Sequence, residues 1–364
     1  MMFMSNNLSI GIVGLPNVGK STLFNALTKG SALAANYPFA TIEPNIGIVA
    51  VPDERLRKLA ELFKTTNIVP ASVRFVDIAG LVAGASKGEG LGNQFLAHIR
   101  TVSVIVEVVR AFTDDLVTHV NSSVDAKRDI DTILTELSLA DLETLNRRLI
   151  KISKEAKADP KLAPLALLTQ KAIQLLDNSH SLYANLLTEE IGELSDLGLL
   201  TAKPIIYVFN VDEAVLSDKA RQDQLIAFVS SADAMFISAK LESELSTLED
   251  YDASELRESY GLHKSGLETL DGLAFKTLGL QTFLTAGEKE VRAWTITAGA
   301  TARKAAGTIH SDMERGFIAA DIVSYPDLMA LGSLSAARAA GKVRTEGKDY
   351  IMQPDDIVEF KFNV

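Results

Sequence analysis

The stretch IGIVGLPNVGKST, residues 10–22, decides the fold of this chain. Its first four residues are apolar or glycine, which predicts a short buried strand. The glycines, lysine and serine that follow have the spacing of a P-loop, in which a tight turn directs backbone N–H groups at phosphate oxygens and a helix begins at the lysine. The run therefore predicts an α/β P-loop NTPase domain built on a mostly parallel sheet.

The P-loop also predicts individual phosphate contacts. Lys20 is expected to bridge the β- and γ-phosphates, and the Ser21 hydroxyl to supply one oxygen ligand to Mg²⁺, the expected cofactor. Thr22 is expected to lie at the α-phosphate. The predicted nucleotide-binding residues of the loop are Gly14, Asn17, Val18, Gly19, Lys20, Ser21 and Thr22.

Composition is that of a large folded protein. The chain has 364 residues, of which 47% are hydrophobic, and no cysteine. This length allows more than one domain, and the lack of cysteine leaves oxygen and histidine as metal ligands. The amino terminus lacks the pattern of a secretory leader, and no apolar run is long enough to span a bilayer. We therefore expect a cytoplasmic protein that does not bind membranes.

The net charge of -11 argues against a protein that coats nucleic acid without selectivity. One basic cluster, RRLIKISKEAK at residues 147–157, lies beside an apolar helical stripe. Such a cluster is typical of a solvated helix face, and it would also suit a nucleic-acid contact. The sequence leaves both interpretations open.

A second nucleotide signature is DIAG, residues 77–80, which follows a strand-like run. Asp77 is predicted to hold Mg²⁺, and the backbone N–H of Gly80 to contact the γ-phosphate. Thr41, in the proline-containing loop 36–45, is the candidate for a second protein ligand to the metal. The glycine-dense segment 81–93 is typical of a nucleotide-sensing switch.

Base recognition is predicted at two further strand ends, which carry Asn210, Val211, Glu213, Ser238 and Ala239. In guanine-specific proteins the first element is Asn-Lys-x-Asp, and its aspartate accepts hydrogen bonds from guanine. The longer Glu213 should misplace that acceptor, and Val211 removes the lysine, so guanine preference is weakened. The Ser238 loop nevertheless resembles a guanine-binding loop, and the N–H of Ala239 could donate to guanine O6. Use of both ATP and GTP therefore remains open.

Two other regions have a regular spacing of apolar residues that predicts their secondary structure. Apolar residues between positions 130 and 176 recur at three- and four-residue steps, with a break at Pro160, which predicts a helical hairpin. From about residue 280, alternating strand-like runs bracket a helical centre and resemble a small mixed β-grasp module.

Taken together, the motifs resemble the YchF/Obg-like ATPase family over nearly the whole chain. The resemblance rests on the P-loop, residues 37–45, 77–82 and 84–96, the element at 210–213 and residues 289–295. It implies a nucleotide-binding domain at residues 1–280 with a coiled-coil hairpin inserted at about 125–200, followed by a TGS domain at 281–364. It also implies ATP hydrolysis in preference to GTP hydrolysis, and binding to the ribosome, with the large subunit and its rRNA as the expected contact.

The group that positions the attacking water is the least defined. Many related GTPases carry a glutamine where this chain has Leu81 and Val82, which cannot hydrogen-bond water. The resembled family carries a histidine where this chain has Glu107, so Glu107 joins Lys20 and Gly80 as a predicted catalytic residue. Its alternative is a strand residue that faces solvent or pairs with a cation, and His98 is a second candidate for the role.

Three functions follow from these patterns. The first is a slow ribosome-associated ATPase that acts as a switch in translation. The second is a conventional GTPase, and the third is a nucleotide-gated binding protein with negligible turnover.

Overall fold

The computed structural model describes residues 8–29, 46–78, 91–114, 124–229 and 232–363. These residues form two six-stranded sheets with helices packed on them. The strands are β1 (Ser9–Val13), β2 (Ile46–Ala50), β3 (Ile68–Val69), β4 (Ser72–Asp77), β5 (Val104–Ala111), β6 (Ile205–Val211), β7 (Asp233–Ile237), β8 (Leu280–Ala286), β9 (Val291–Thr297), β10 (Phe317–Ser324), β11 (Arg344–Glu346) and β12 (Asp356–Phe362). The helices are α1 (Lys20–Lys29), α2 (Glu54–Phe63), α3 (Leu91–Thr101), α4 (Ala126–Ala158), α5 (Ala163–Asp177), α6 (Leu182–Asn185), α7 (Thr188–Glu193), α8 (Lys219–Ile226), α9 (Ala239–Leu245), α10 (Asp250–Ser259), α11 (Gly266–Thr277), α12 (Ala302–Ile309), α13 (Ser311–Arg315), α14 (Tyr325–Leu331) and α15 (Leu334–Ala339).

The first sheet has the strand order β2-β4-β1-β5-β6-β7. Its neighbouring strands are parallel, except that β2 is antiparallel to β4. All of β1 and all but the last residue of β5 are buried, because helices cover both faces of the sheet. The predicted mostly parallel sheet is confirmed. The carboxyl ends of its parallel strands meet at one edge, which is where open α/β sheets bind ligands.

A helical segment connects β5 to β6. Asp125 caps the first turn of α4 by accepting a hydrogen bond from the N–H of Arg128, and α4 ends before Pro160. Helix α5 then packs back along α4, with Leu145 in one apolar cluster with Leu168 and Ala172. Both helices lie where the apolar period predicts them. No helix in the described ranges is both long and apolar enough to cross a membrane.

The second sheet has the order β11-β10-β12-β8-β9-β3 and mixes parallel with antiparallel pairs. Its last strand, β3, comes from the amino-terminal part of the chain and pairs with β9. Helix α2 packs on this sheet too, since Leu56 and Leu59 share an apolar cluster with Leu284 and Ile357. The second sheet therefore combines strands from Leu280 onward with β3 and α2 from the amino-terminal part of the chain.

Arg55 bonds α2 to the carboxyl-terminal part of the chain. Its guanidinium donates to the carboxylates of Asp53 and Asp355 and to the backbone oxygen of Pro354, at distances of 2.6 to 2.9 Å. Such charge-assisted bonds are stronger than neutral ones. Helix α2 is consequently held to the segment before β12 by ion pairs as well as by the apolar cluster.

Candidate nucleotide-binding site

The P-loop connects β1 to α1 at the carboxyl edge of the first sheet. Asn17 and Gly19 have positive φ values of 63° and 93°, which turn the loop back toward the helix. Gly14 lies so close to β5 that a Cβ there would be 2.8 Å from the backbone oxygen of Val108. Gly14 and Gly19 thus stand where the backbone needs glycine, and the amino terminus of α1, which begins at Lys20, completes an anion-binding turn.

Lys20 and Asp77 form an ion pair next to this turn. The ammonium Nζ of Lys20 donates to Oδ1 of Asp77 at 2.5 Å, and the two side chains are 10% and 16% exposed. The pair forms because β4 lies parallel to β1, with Asp77 opposite Ile12 just before the P-loop. The residue predicted to bind phosphate is thus bonded to the residue predicted to bind metal.

Asn210 joins the P-loop to the predicted base-binding loop. Its side-chain Nδ2 donates to the backbone oxygen of Val18 at 2.8 Å, and its Oδ1 accepts from the N–H of Ala239 at 2.9 Å. Asn210 is buried, so both bonds lie in a low-dielectric environment where they are strengthened. Its side chain therefore holds two loops in place.

Glu213 and Ser238 face each other across the ends of β6 and β7. The Ser238 hydroxyl donates to Oε1 of Glu213 at 3.3 Å and also accepts from the N–H of Leu241. An open cavity of about 710 Å³ lies against these groups. Among the predicted residues it is lined by Asn17, Gly19, Thr22, Asn210, Val211, Glu213, Ser238 and Ala239.

Several cavity residues were missed by the sequence analysis. Phe112 and Thr113 follow β5, and Asp212 lies between two predicted residues. Asp212 accepts hydrogen bonds from the N–H and the hydroxyl of Thr113, at 3.2 and 3.3 Å. The signal was available in part, because the carboxyl end of β5 must reach the same sheet edge as the P-loop.

The remaining predicted site residues differ in how far their side chains are exposed to solvent. Ser21 and Thr22 are exposed at the start of α1. The side chains of Val18 and Val211 are buried in apolar clusters, so Val18 can meet phosphate only through its backbone. Thr41 and Gly80 lie outside the described residues.

Glu107 is buried inside the first sheet, and its predicted catalytic role stays a prediction that no described contact of its side chain supports. It lies inside β5, beside Val13 on one neighbouring strand and Tyr207 on the other, and is 1% exposed. Neither carboxylate oxygen has a hydrogen-bond partner in the described chain. Burial raises the pKa of Glu107 well above its usual value, and the carboxylates of Asp129 and Asp131 add to the effect. His98, the second candidate, is exposed on α3.

The donor set next to the P-loop suits magnesium. The Ser21 hydroxyl and the Asp77 carboxylate are both hard oxygen ligands, which Mg²⁺ prefers. In the described part of the chain no group of three or more His, Cys, Asp or Glu side chains could hold a metal. A magnesium ion here would therefore need phosphate oxygens and water as further ligands, which is its usual arrangement with nucleoside triphosphates.

Replacing Gly19 with alanine tests the geometry of the turn. The new Cβ would come within 2.2 Å of Asn210 Nδ2, at a φ of +93° that L-residues rarely adopt. We expect affinity for MgATP to fall at least about tenfold, measured by titration calorimetry. Gly198→Ala is the matched control, because Gly198 also has positive φ but its nearest neighbour is the Arg100 Cδ atom, 3.9 Å away. Equal losses of affinity in both variants would contradict the assignment.

The P-loop, its lysine–aspartate pair and the asparagine link define a P-loop nucleotide-binding protein with a GTPase-type domain. A family profile described as 50S ribosome-binding GTPase matches residues 9–162. A profile of the YchF GTPase carboxyl-terminal region, described as a protein of unknown function, matches residues 280–363.

Relatives match over nearly their whole length. Proteins named ribosome-binding ATPase YchF are 49% identical in Bacillus subtilis and 48% in Haemophilus influenzae, with 98% and 97% of this chain and 100% and 99% of the relatives covered. The solved structure of the Schizosaccharomyces pombe YchF GTPase aligns with a TM-score of 0.88 at 39% identity, covering 99% of both chains. A GTP-binding protein of Pyrococcus horikoshii, at 19% identity and a TM-score of 0.61 over 98% of this chain and 100% of its own, shares the fold. The chain belongs to the YchF family.

Proposed function

We propose that this chain is a ribosome-binding ATPase that binds ATP with magnesium, hydrolyses it slowly and acts as a nucleotide-dependent switch in translation. The observation that carries the choice of ATP is the bond between Asn210 and Ala239. The N–H of Ala239 is the donor that guanine O6 would need, and it already donates to Asn210 Oδ1 at 2.9 Å. If guanine O6 accepted this N–H instead, the buried Oδ1 of Asn210 would lose its donor, which would lower the affinity for guanine nucleotides.

Glu213 supports the same choice. Its carboxylate accepts a hydrogen bond from Ser238, so it is directed at the neighbouring loop. A guanine-specific site needs a shorter carboxylate, free to accept from N1–H and the exocyclic amine together. The relatives named ribosome-binding ATPase YchF support an adenine nucleotide as well.

The P-loop is the part of the site that would bind the phosphates. Lys20 and the backbone N–H groups at the start of α1 would hold the β- and γ-phosphates and oppose the charge that develops on them during transfer. Bound magnesium would neutralise phosphate charge, held by Ser21 and Asp77, with Thr41 as the proposed further ligand. Gly80 is proposed to contact the γ-phosphate through its N–H. Because Glu107 is buried away from solvent, we assign it no step and expect slow intrinsic turnover.

The ribosome contact is proposed on the inserted helices. Arg147 and Lys151 project from α4, and their side chains are 71% and 69% exposed to solvent. Each has an acidic partner one turn away, and such exposed pairs are weak and easily exchanged for phosphates. We propose that this face of the coiled-coil hairpin meets rRNA of the large subunit, that the second sheet is a TGS domain with a β-grasp fold, and that the protein is cytoplasmic.

The test begins with the affinities of the purified protein for ATP and GTP with magnesium, measured by titration calorimetry. We expect ATP to bind at least about tenfold more tightly. Glu213→Asp should narrow this ratio, since the shorter carboxylate reaches a position suited to guanine. Much tighter GTP binding would make the protein a conventional GTPase.

Hydrolysis of ATP is then compared with and without ribosomes. Stimulation by ribosomes supports the proposal. Tight binding of ATP with no turnover under either condition would make the chain a nucleotide-gated binding protein and would remove the ATPase part of the proposal.

A further inference from the structure

We propose that Arg110 and Asp212 are positioning residues that preform the base-binding side of the nucleotide cavity. This rests on the proposed function, because it concerns how the same site holds the base of its nucleotide. Neither residue is expected to act on phosphate. Each acts through the loop of residues 112–114, which borders the cavity at the end of β5.

Arg110 supports this loop from behind. It is 2% exposed and lies beside Asn210 in the register of β5 and β6. Its Nε donates to the backbone oxygen of Phe112 at 3.4 Å, and its Nη2 donates to the backbone oxygen of Asp114 at 3.3 Å. The guanidinium carbon is 4.4 Å from the centre of the Phe112 ring. One buried side chain therefore holds both the backbone and the aromatic ring of the loop.

Asp212 holds the same loop from the other side. Its carboxylate accepts from both the N–H and the hydroxyl of Thr113, and it directly precedes Glu213. The loop after β5 is thereby bonded to the loop after β6. Thr113 and Asp114 are exposed, so these bonds fix an exposed part of the cavity rim.

The consequence for binding is preorganisation. A flat base needs an apolar wall in a fixed place, and the half-buried Phe112 ring supplies apolar surface on the cavity side. If the loop were not already bonded, ordering its residues would subtract from the free energy of nucleotide binding. We therefore expect the bonds of Arg110 and Asp212 to raise affinity for the whole nucleotide and to leave affinity for its phosphates alone unchanged.

The experiment compares two ligands, ATP and inorganic tripolyphosphate, both with magnesium and both titrated into the full-length protein. Tripolyphosphate can occupy the P-loop but has no base. In Arg110→Met and in Asp212→Ala we expect ATP affinity to fall about tenfold and tripolyphosphate affinity to change less than about twofold. Asp212→Asn keeps an acceptor for Thr113 and should retain most of the ATP affinity.

Arg55→Met is the matched control. It removes a guanidinium with similar hydrogen bonds that lies between α2 and the carboxyl-terminal region. Both ligands should bind this variant as they bind the original protein. If Arg110→Met fails to fold, the variants Asp212→Ala and Asp212→Asn still test whether the loop 112–114 must be held in place.

The outcomes are distinguishable. Parallel losses for ATP and tripolyphosphate would mean that Arg110 and Asp212 maintain the general fold, and unchanged ATP affinity would mean that the loop needs no support; either overturns the inference. If the original protein binds ATP no better than tripolyphosphate, the base makes no contribution and the inference also fails. If it binds neither ligand, the proposed function itself is wrong.

Discussion

Replacing Asp77 with asparagine is expected to strengthen the binding of magnesium-free ATP while slowing the hydrolysis of MgATP. The Asp77 carboxylate holds the Lys20 ammonium at 2.5 Å and so competes with phosphate for it. The amide of asparagine carries no charge, which frees Lys20 and removes a negative group from beside the phosphates. With EDTA present we expect affinity for ATP to rise about tenfold.

With magnesium the same substitution should act in the opposite direction. The amide is a weaker ligand for a hard cation, and we expect kcat to fall on the order of 100-fold, as when one group that stabilises transition-state charge is lost. Titration calorimetry with and without EDTA and single-turnover hydrolysis measure the two effects. The reversal of sign between the two conditions is the diagnostic result.

Asp53→Asn is the matched control for Asp77→Asn. Asp53 is 14% exposed, pairs with Arg55 at 2.6 Å and lies at the start of α2, away from the cavity. Its variant should lose some stability and leave both nucleotide measurements unchanged. If Asp77→Asn weakens ATP binding with and without magnesium alike, Lys20 is not held back by Asp77 and the interpretation of the pair is wrong.

Replacing Glu107 with glutamine is expected to stabilise the protein more as the pH rises. Burial holds the pKa of Glu107 well above its usual value, so the folded state binds a proton that the unfolded state releases near pH 4.3. Glu107 therefore destabilises the folded state least below that pH. The folded state becomes less stable as the pH rises from there toward the folded-state pKa of Glu107. A glutamine has no proton to lose and escapes this penalty.

Urea unfolding at several pH values measures the effect. At pH 8 we expect the free energy of unfolding of Glu107→Gln to exceed that of the original protein by on the order of 2 kcal/mol, the scale of proton linkage for one carboxyl group with a shifted pKa, and the difference to shrink toward pH 5. Burial also raises the pKa of Asp271 to about 8. Comparing the variant with the original protein cancels that contribution.

Glu143→Gln is the control for Glu107→Gln. Glu143 is 64% exposed on α4 and pairs with Arg147, so its removal should shift stability little at any pH. Parallel pH profiles for the original protein and Glu107→Gln would show that Glu107 is ionised in the folded state, contrary to the expectation from its burial.

Local patterns explain why much of the fold was predictable. The P-loop requires glycine at fixed positions, and the structure uses Gly19 at positive φ and Gly14 at a close approach to β5. The mostly parallel sheet followed from the P-loop and the apolar strand before it, and the long helices from an apolar period that is interrupted at Pro160. Each of these signals depends on neighbouring residues, so one sequence suffices to detect it.

Glu107 shows where such reasoning stops. Residues 104–110 of β5 are buried on both faces, so its sequence has no alternation to indicate which way a side chain points. The family pattern made Glu107 a catalytic candidate, and the strand register shows that it lies between Val13 and Tyr207 in the interior of the sheet. Only the packing of the sheet and α4 decides that environment.

The sequence by itself determined the phosphate-binding turn, the class of the first domain and the residues at the ends of its strands, because these depend on local backbone geometry. Tertiary structure alone decided that Lys20 pairs with Asp77, that Asn210 joins two loops and that β3 completes the second sheet. These contacts join residues from 29 to 223 positions apart by their numbers, such as Asn210 with Ala239 and Ile68 with Val291. No local pattern records such a pairing, since it depends on how whole strands and helices pack.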